Sequence, residues 1–150
     1  MLEDMRLRFM VPARMAFLEA DRAGSAMGVI DSYRGVEFPL RCTFHLLLSF
    51  EAATEEAGVI VTPEVEVRSP DGELLCQRSL VLRPGPLGEH GEAWVSYATL
   101  LITFTARTPG AHEIECRLGG ELLGSSAIAV LKGAAGTPVG ETDARHSERR

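Results

Sequence analysis

The sequence predicts an all-β protein, an antiparallel β-sandwich of about eight strands followed by a disordered C-terminal tail. Three observations carry this reading. Apolar and polar residues alternate at period two in segment after segment, so each segment has one dry face and one wet face. Gly- and Pro-rich turns separate those segments at near-regular spacing. No stretch shows a convincing amphipathic helical period, and without crossover helices a parallel α/β sheet is excluded.

In chain order, Arg6 to Val11 reads as a first strand stopped by Pro12, and Ala13 to Ala23 as a connector holding at most one helical turn. Ala26 to Phe38 reads as a second strand closed by Pro39. Arg41 to Phe50 is the strongest strand, because Cys42, Phe44, Leu46, Leu48 and Phe50 hold one face along its length. An acidic loop, Ala52 to Gly58, follows. Glu64 to Arg68 alternates with Val65 and Val67 inward, and Ser69-Pro70-Asp71-Gly72 is a turn in which Pro presets φ and Gly takes the left-handed position. The chain returns through Glu73 to Leu82 into a Pro/Gly-rich loop, Arg83 to Gly91. Trp94 to Ala106 is a long strand whose face of Leu100, Ile102, Phe104 and Ala106 is set against Thr99, Thr103 and Thr105. After the turn at Thr108-Pro109-Gly110, Ile114, Cys116 and Leu118 alternate with Glu113, Glu115 and Arg117. Gly119-Gly120 then reverses the chain into a run ending Ile128-Ala129-Val130-Leu131, because a tight hairpin needs positive φ. Residues 1–4 are expected to be a disordered N-terminus, 5–132 the sandwich domain and 133–150 a tail too polar and Gly-rich to offset its ordering entropy.

The 150 residues suit one domain, which at this size buries roughly 68–70% of its unfolded surface. With 45% apolar and 24% charged residues the composition is ordinary for a soluble globular chain. A net charge of −6, with cations dispersed, argues against nucleic acid, since phosphate binding needs a basic face. Nearly all cations are Arg, Lys132 being the single Lys, and Asn is absent, which fits the codon bias of a GC-rich bacterial genome and rules out N-glycosylation. No export signal or membrane-length apolar run is visible, so the expectation is a cytoplasmic protein without membrane contact. By strand parity Cys42, Cys76 and Cys116 all point toward apolar faces and read as buried thiols, with a Cys42–Cys116 bridge as the alternative that an intracellular setting disfavours.

Phe9-Met10-Val11, Gly28-Val29-Ile30-Asp31, Glu37-Phe38-Pro39, Leu46 to Glu51, Ser69 to Leu75, Thr108-Pro109-Gly110 and Leu118-Gly119-Gly120-Glu121 resemble, in order, the landmarks of a bacterial family. Its members are small single-domain all-β proteins classed as a domain of unknown function. The resemblance runs from about Met5 to Leu131. It implies an Ig-like or C2-like sandwich of bacterial origin, and no established activity, cofactor or catalytic residue. Family members often place an Ala-Asp pair after the first strand, whereas Ala13 is followed here by Arg14.

Candidate chemical sites are weak. Gly124-Ser125-Ser126-Ala127 lacks the second Gly of a nucleophile elbow and reads as a hairpin turn. His112 and Cys116 share a strand face but stand about 13 Å apart, too far to chelate one ion. Gly85, Gly88 and Gly91 precede a strand and so cannot form a phosphate loop, which needs a helix N-terminus. Glu51, Glu55 and Glu56 lack the Asp-x-Asp spacing of a calcium loop. No catalytic residue, cofactor or metal is therefore expected. The expected function is protein recognition by a non-catalytic module, through loops at one end or an exposed sheet edge, with Glu55, Glu56, Leu87, Glu89, His90 and Trp94 as the interaction surface. The alternative is a small-ligand or carbohydrate site built on Trp94, Tyr33 or Tyr97, although Trp94 and Tyr97 have opposite parity. An enzyme would require a pocket gathering His45, His90 or His112 with a carboxylate.

Overall fold

The structure is a computed structural model that describes residues 5–20, 23–52, 58–85 and 88–133; of the expected disordered ends, 1–4 and 133–150, all but Gly133 lie outside them, and Gly133 donates its N–H to Gly35 O. Among the described residues nine strands form two facing sheets, as the sandwich expectation requires. They are β1 (Met5–Leu18), β2 (Gly24–Val29), β3 (Ser32–Gly35), β4 (Leu40–Ala52), β5 (Glu64–Arg68), β6 (Leu74–Ser79), β7 (Trp94–Ala106), β8 (Gly110–Leu118) and β9 (Glu121–Lys132). One sheet has the order β2-β1-β4-β7 and the other β3-β9-β8-β5-β6.

The interior is built from the faces that period two selects. From β4, Cys42, Phe44, Leu46, Leu48 and Phe50 are buried; from β7, Ala98, Leu100, Ile102 and Phe104; from the opposing sheet, Val65, Val67, Ile114, Cys116, Ile128 and Val130. β4 and β7 pair along their whole lengths, from Leu40 opposite Ala106 to Ala52 opposite Trp94. Two turns take the forms their residues demand. Gly72 has φ +87° and donates its N–H to Ser69 O, and Gly119 and Gly120, at +59° and +83°, join Leu118 to Glu121 in a two-residue hairpin loop.

The N-terminal third departs from expectation. Pro12 does not stop the first strand: β1 runs through it to Leu18, pairing with β4 up to Ala13 and with β2 from Ala13 onward. The Pro12 carbonyl accepts from Ile30, so the absent Pro12 N–H would point to the side where β2 ends, where no ladder bond is lost. The stretch from Ala13 to Leu18, expected as a connector with a helical turn, is the second half of that strand. The single strand expected over Ala26 to Phe38 is two strands in different sheets. Ile30 donates to Pro12 O in one sheet, while the next residue, Asp31, accepts from Ala129 N in the other. β3 then runs parallel to β9, the one parallel pairing in the molecule's described residues.

The β1–β2 ribbon also leaves the plane of its sheet. Leu18 is opposite Gly24 and Ala16 opposite Ala26, and this small-residue face lies on the outer face of the sheet. A Cβ on Gly24 would fall 2.6 Å from Leu47 Cδ1 and 2.9 Å from Tyr97 Cδ1. Leu47 points outward from β4, yet it is only 5% exposed under that cover, while the outward Ser49, fully buried, accepts from Arg8 Nη1 and donates to Ser96 O.

Candidate functional site

The sandwich is asymmetric along its two sides. On one side β3 bridges the sheets, with the Tyr33 hydroxyl donating to Thr43 O, a carbonyl of β4 beyond the reach of β1. On the other side both sheets end in unpaired edges, β6 and β7, which face each other.

β7 is a thirteen-residue edge without a single charge. Its middle is occupied by side chains of β6: Arg78 Nη1 donates to Leu101 O at 3.0 Å, and the Thr103 N–H hydrogen-bonds to the Cys76 thiol. Burial pushes that thiol's pKa up, and the Thr103 bond and the Arg78 charge partly offset the rise. Successive residues of an antiparallel strand turn their backbone groups to alternate sides. Leu101 and Thr103 therefore mark the outward set, to which Val95, Tyr97, Thr99 and Thr105 also belong.

Two clefts flank this clasp. The first, about 750 Å³, is bordered by Phe38, Arg41, Glu73, Leu75, Phe104 and Arg107. Glu73 and Arg107 are paired at 3.3 Å across it, and Arg41 has no ionic partner among the described residues. The second, about 550 Å³, runs along Trp94 to Thr99, with Leu18 of the ribbon and Leu80 to Arg83 on its other walls. Trp94 and Tyr97 both line it. They do lie on opposite faces of β7, but at an edge strand a cleft can wrap around the rim and meet both. Parity separates two side chains only where neighbours flank the strand on each side. Trp94 also packs on the core and against Gly85, while the Tyr97 hydroxyl takes a 3.4 Å bond from Arg8.

Of the surface expected from the sequence, Trp94 borders this cleft. Glu89 and His90 are exposed on a turn closed on itself by Gly91 N to Gly88 O and His90 N to Glu92 Oε2, and they do not line the cleft. Glu55, Glu56 and Leu87 lie outside the described residues. Of the described residues beside those positions, Gly58 donates its N–H to Pro84 O, and Val61 and Leu82 form an isolated bridge. Tyr33, the third aromatic considered, spends its hydroxyl on the opposite side of the molecule.

The three histidines among the described residues do not converge. His45 sits on the outer face bonded to Arg14 O, and His90 on the loop. His112 is buried against the Phe104 ring with Nδ1 on Gly110 O and no partner for Nε2. All three cysteines are free, so the alternative Cys42–Cys116 bridge is not formed. Burial alone pushes Cys42 up to about 11 and Cys116 up to about 12, which makes both poor nucleophiles.

Sequence reasoning missed a charged quartet on the outer face of the five-stranded sheet. Glu66 and Glu115 stand directly opposite each other across β5 and β8. Arg68 bonds Glu66 at 2.8 Å and reaches Glu115 at 3.5 Å; Arg117 bonds Glu115 at 2.5 Å and reaches Glu66 at 3.7 Å. The legible signal was Glu-x-Arg on the polar parity of two strands, but only their register brings the two copies together.

No family model matches the chain, and no curated protein matches it. Among solved structures it is similar to an alkylpurine DNA glycosylase of Pseudomonas fluorescens bound to DNA with an abasic-site analogue, at 11% identity and TM-score 0.49, covering 85% of this chain and 30% of that one. It is similar to an immunoglobulin-like protein of Pseudomonas aeruginosa, at 13% identity and TM-score 0.40, covering 86% and 98%. A third is a β-glucosidase of Listeria innocua in complex with isofagomine, at 13% identity and TM-score 0.44, covering 67% and 15%. The chain thus spans under a third of either enzyme. Among the described residues, no helix is long and apolar enough to cross a membrane.

Proposed function

We propose that this protein is a non-catalytic recognition module that binds an extended segment of a partner protein along the Val95 to Thr99 edge of β7. The carrying observation is the juxtaposition of outward backbone groups on an uncharged edge with a cleft walled by Trp94, Tyr97, Leu18, Leu80 and Leu82. Main-chain pairing supplies affinity in strand addition, and side-chain pockets supply the choice of sequence. Among the described residues the cleft is lined by one cation, Arg83, and by no carboxylate, so it suits a segment with an apolar or aromatic residue and an acidic neighbour. The three free thiols support a reducing, cytoplasmic setting, and the bacterial origin implied by the resemblance belongs to the same reading.

The test is a selection of peptides from a random library on the immobilised chain, followed by titration using Trp94, the single tryptophan, as a fluorescent reporter. Thr99→Pro deletes one outward amide while sparing the ladder to β4, and it should weaken selected peptides about tenfold. Trp94→Ala should weaken them comparably. Peptides that bind equally well to both variants, or a selection that yields none, would overturn the proposal.

A second reading rests on the same cleft. Two aromatic rings in one cavity are what a sugar or other small ligand with an apolar face requires. A glycan array together with thermal-shift screening separates the readings, because a bound sugar raises the melting temperature by mass action.

A further inference from the structure

We infer that the first cleft, beside Thr105, is a binding site for a small carboxylic acid with an apolar body. Clefts of about 300–1,000 Å³ suit small molecules, and this one measures about 750 Å³. The clasp of Arg78 and Cys76 on β7 stands between it and the Trp94 cleft, so it is separate from the proposed peptide site and does not rest on that reading. Strand register builds its polar wall. Arg41 on β4 stands directly opposite Thr105 on β7, and Arg107 follows Thr105 two residues on. Thr105 also belongs to the outward set of β7, so its backbone N–H faces the free edge. Phe38, Leu75 and the buried Phe104 supply an apolar wall beside these donors.

Two arguments select the ligand. The first is charge. Among the described residues the cleft's charged lining is Arg41, Arg107 and Glu73, two cations against one carboxylate in a chain that carries −6 overall. Glu73 meets Arg107 at 3.3 Å, but their side chains are 51% and 72% exposed, and ion pairs so open to water are weak. Arg41 has no ionic partner among the described residues. A monoanion therefore balances the cleft, whereas a phosphate dianion would bring a second negative charge toward Glu73. The second argument is the pairing of surfaces. A guanidinium offers a carboxylate two parallel N–H groups, and the Thr105 hydroxyl and N–H add donors next to it. The wall of Phe38, Leu75 and Phe104 has no such groups to offer, so the body attached to the carboxylate must be apolar, and a ring packs on it best.

The experiment is calorimetric titration of the full chain with phenylacetate, with phenethyl alcohol as its uncharged counterpart and phenyl phosphate as its dianionic one. Phenylacetate should fill a single saturable site, more tightly than phenyl phosphate and about tenfold more tightly than the alcohol. Arg41→Gln should weaken it about tenfold, the loss of a charge-assisted contact. Glu73→Gln should tighten it by removing the competing carboxylate, a gain that a misfolded chain would not give. Trp94→Ala, in the other cleft, should leave it unchanged. Acid and alcohol binding alike, or no saturable binding of the acid, overturns the inference. So does an affinity indifferent to Arg41→Gln, a phenyl phosphate that binds more tightly than the acid, or a loss on Trp94→Ala that puts the acid in the peptide cleft.

Discussion

The two sheets share one interior but finish their outer faces in opposite ways. The five-stranded sheet closes its outer face with charge: Glu66 and Glu115, 8% and 7% exposed, are each held between Arg68 and Arg117. The four-stranded sheet closes part of its outer face with backbone, by bending β1 and β2 over Leu47. The first solution leaves a polar surface with nothing further to cover. The second transfers the problem outward, since the ribbon that hides Leu47 exposes Met15, Phe17, Met27 and Val29 in its place. Interaction surfaces are therefore expected on the four-stranded sheet and its rim.

The largest effect that would break this contrast is at Leu47. If the ribbon packs on it, Leu47→Ala should cost about 2–3 kcal/mol in urea unfolding, the price of a truncated core leucine. The same change at Leu101, on the same outer face of the adjacent strand but 47% exposed, should cost under about 0.5 kcal/mol. Equal costs would mean that the ribbon does not seal the sheet.

The quartet should come next. Arg68→Ala leaves two carboxylates opposite each other with one guanidinium between them, and should destabilise by about 1–2 kcal/mol. The arginines are about a third exposed, which keeps the loss below that of a fully buried pair. Adding Glu66→Gln to Arg68→Ala should recover part of the loss by removing the repulsion. If the double change is worse than the single one, the glutamates are held by something other than charge.

The shared interior supplies a reference independent of either outer face. Cys42 and Cys116 have folded pKa values raised by burial to about 11 and about 12, from an ordinary thiol value of 9.0. Above pH 9 the unfolded chain releases thiol protons that the folded chain retains, so stability is constant below about 9 and falls as pH climbs through 9 toward 12. Cys116 alone should account for about 1 kcal/mol of loss by pH 10. Comparing urea midpoints of the wild type and Cys116→Ala at pH 8 and pH 10 checks this: the difference between the two proteins should narrow at the higher pH. Native protein should likewise react slowly at Cys42 and Cys116 with a thiol reagent, and denatured protein should release three thiols.

How much of this was legible in the sequence follows from how local each cause is. The inward faces of β4, β5, β7 and β8 depend on alternation within one strand, and Val65, Val67, Ile102 and Ile114 are all fully buried where alternation put them. The turns at Gly72 and Gly119-Gly120 depend on four residues each. Pro12 misleads because its cost depends on which side of the strand needs a donor, and that is set by where β2 ends. Asp31 could not be read as a crossing point, because its partner, Ala129, is 98 positions away in the chain. Trp94 was named as a contact residue, but its cleft is formed with Tyr97 and Leu18 through the bend in β1, which no pattern in Ala13 to Leu18 announces. The quartet needs the β5–β8 register for the same reason.

The smallest expected effect tests the contrast most sharply. If the upper face of the ribbon is outside the folded core, Met27→Thr should change monomer stability by less than about 0.5 kcal/mol, because a side chain 60% exposed has little burial to lose and threonine suits a strand. The measurement is a urea titration at low micromolar concentration. A loss above about 1 kcal/mol would show that Met27 is packed in the monomer. The outer face of the four-stranded sheet would then be as finished as that of its partner, and the apolar ribbon would be a lid with nothing left to recruit.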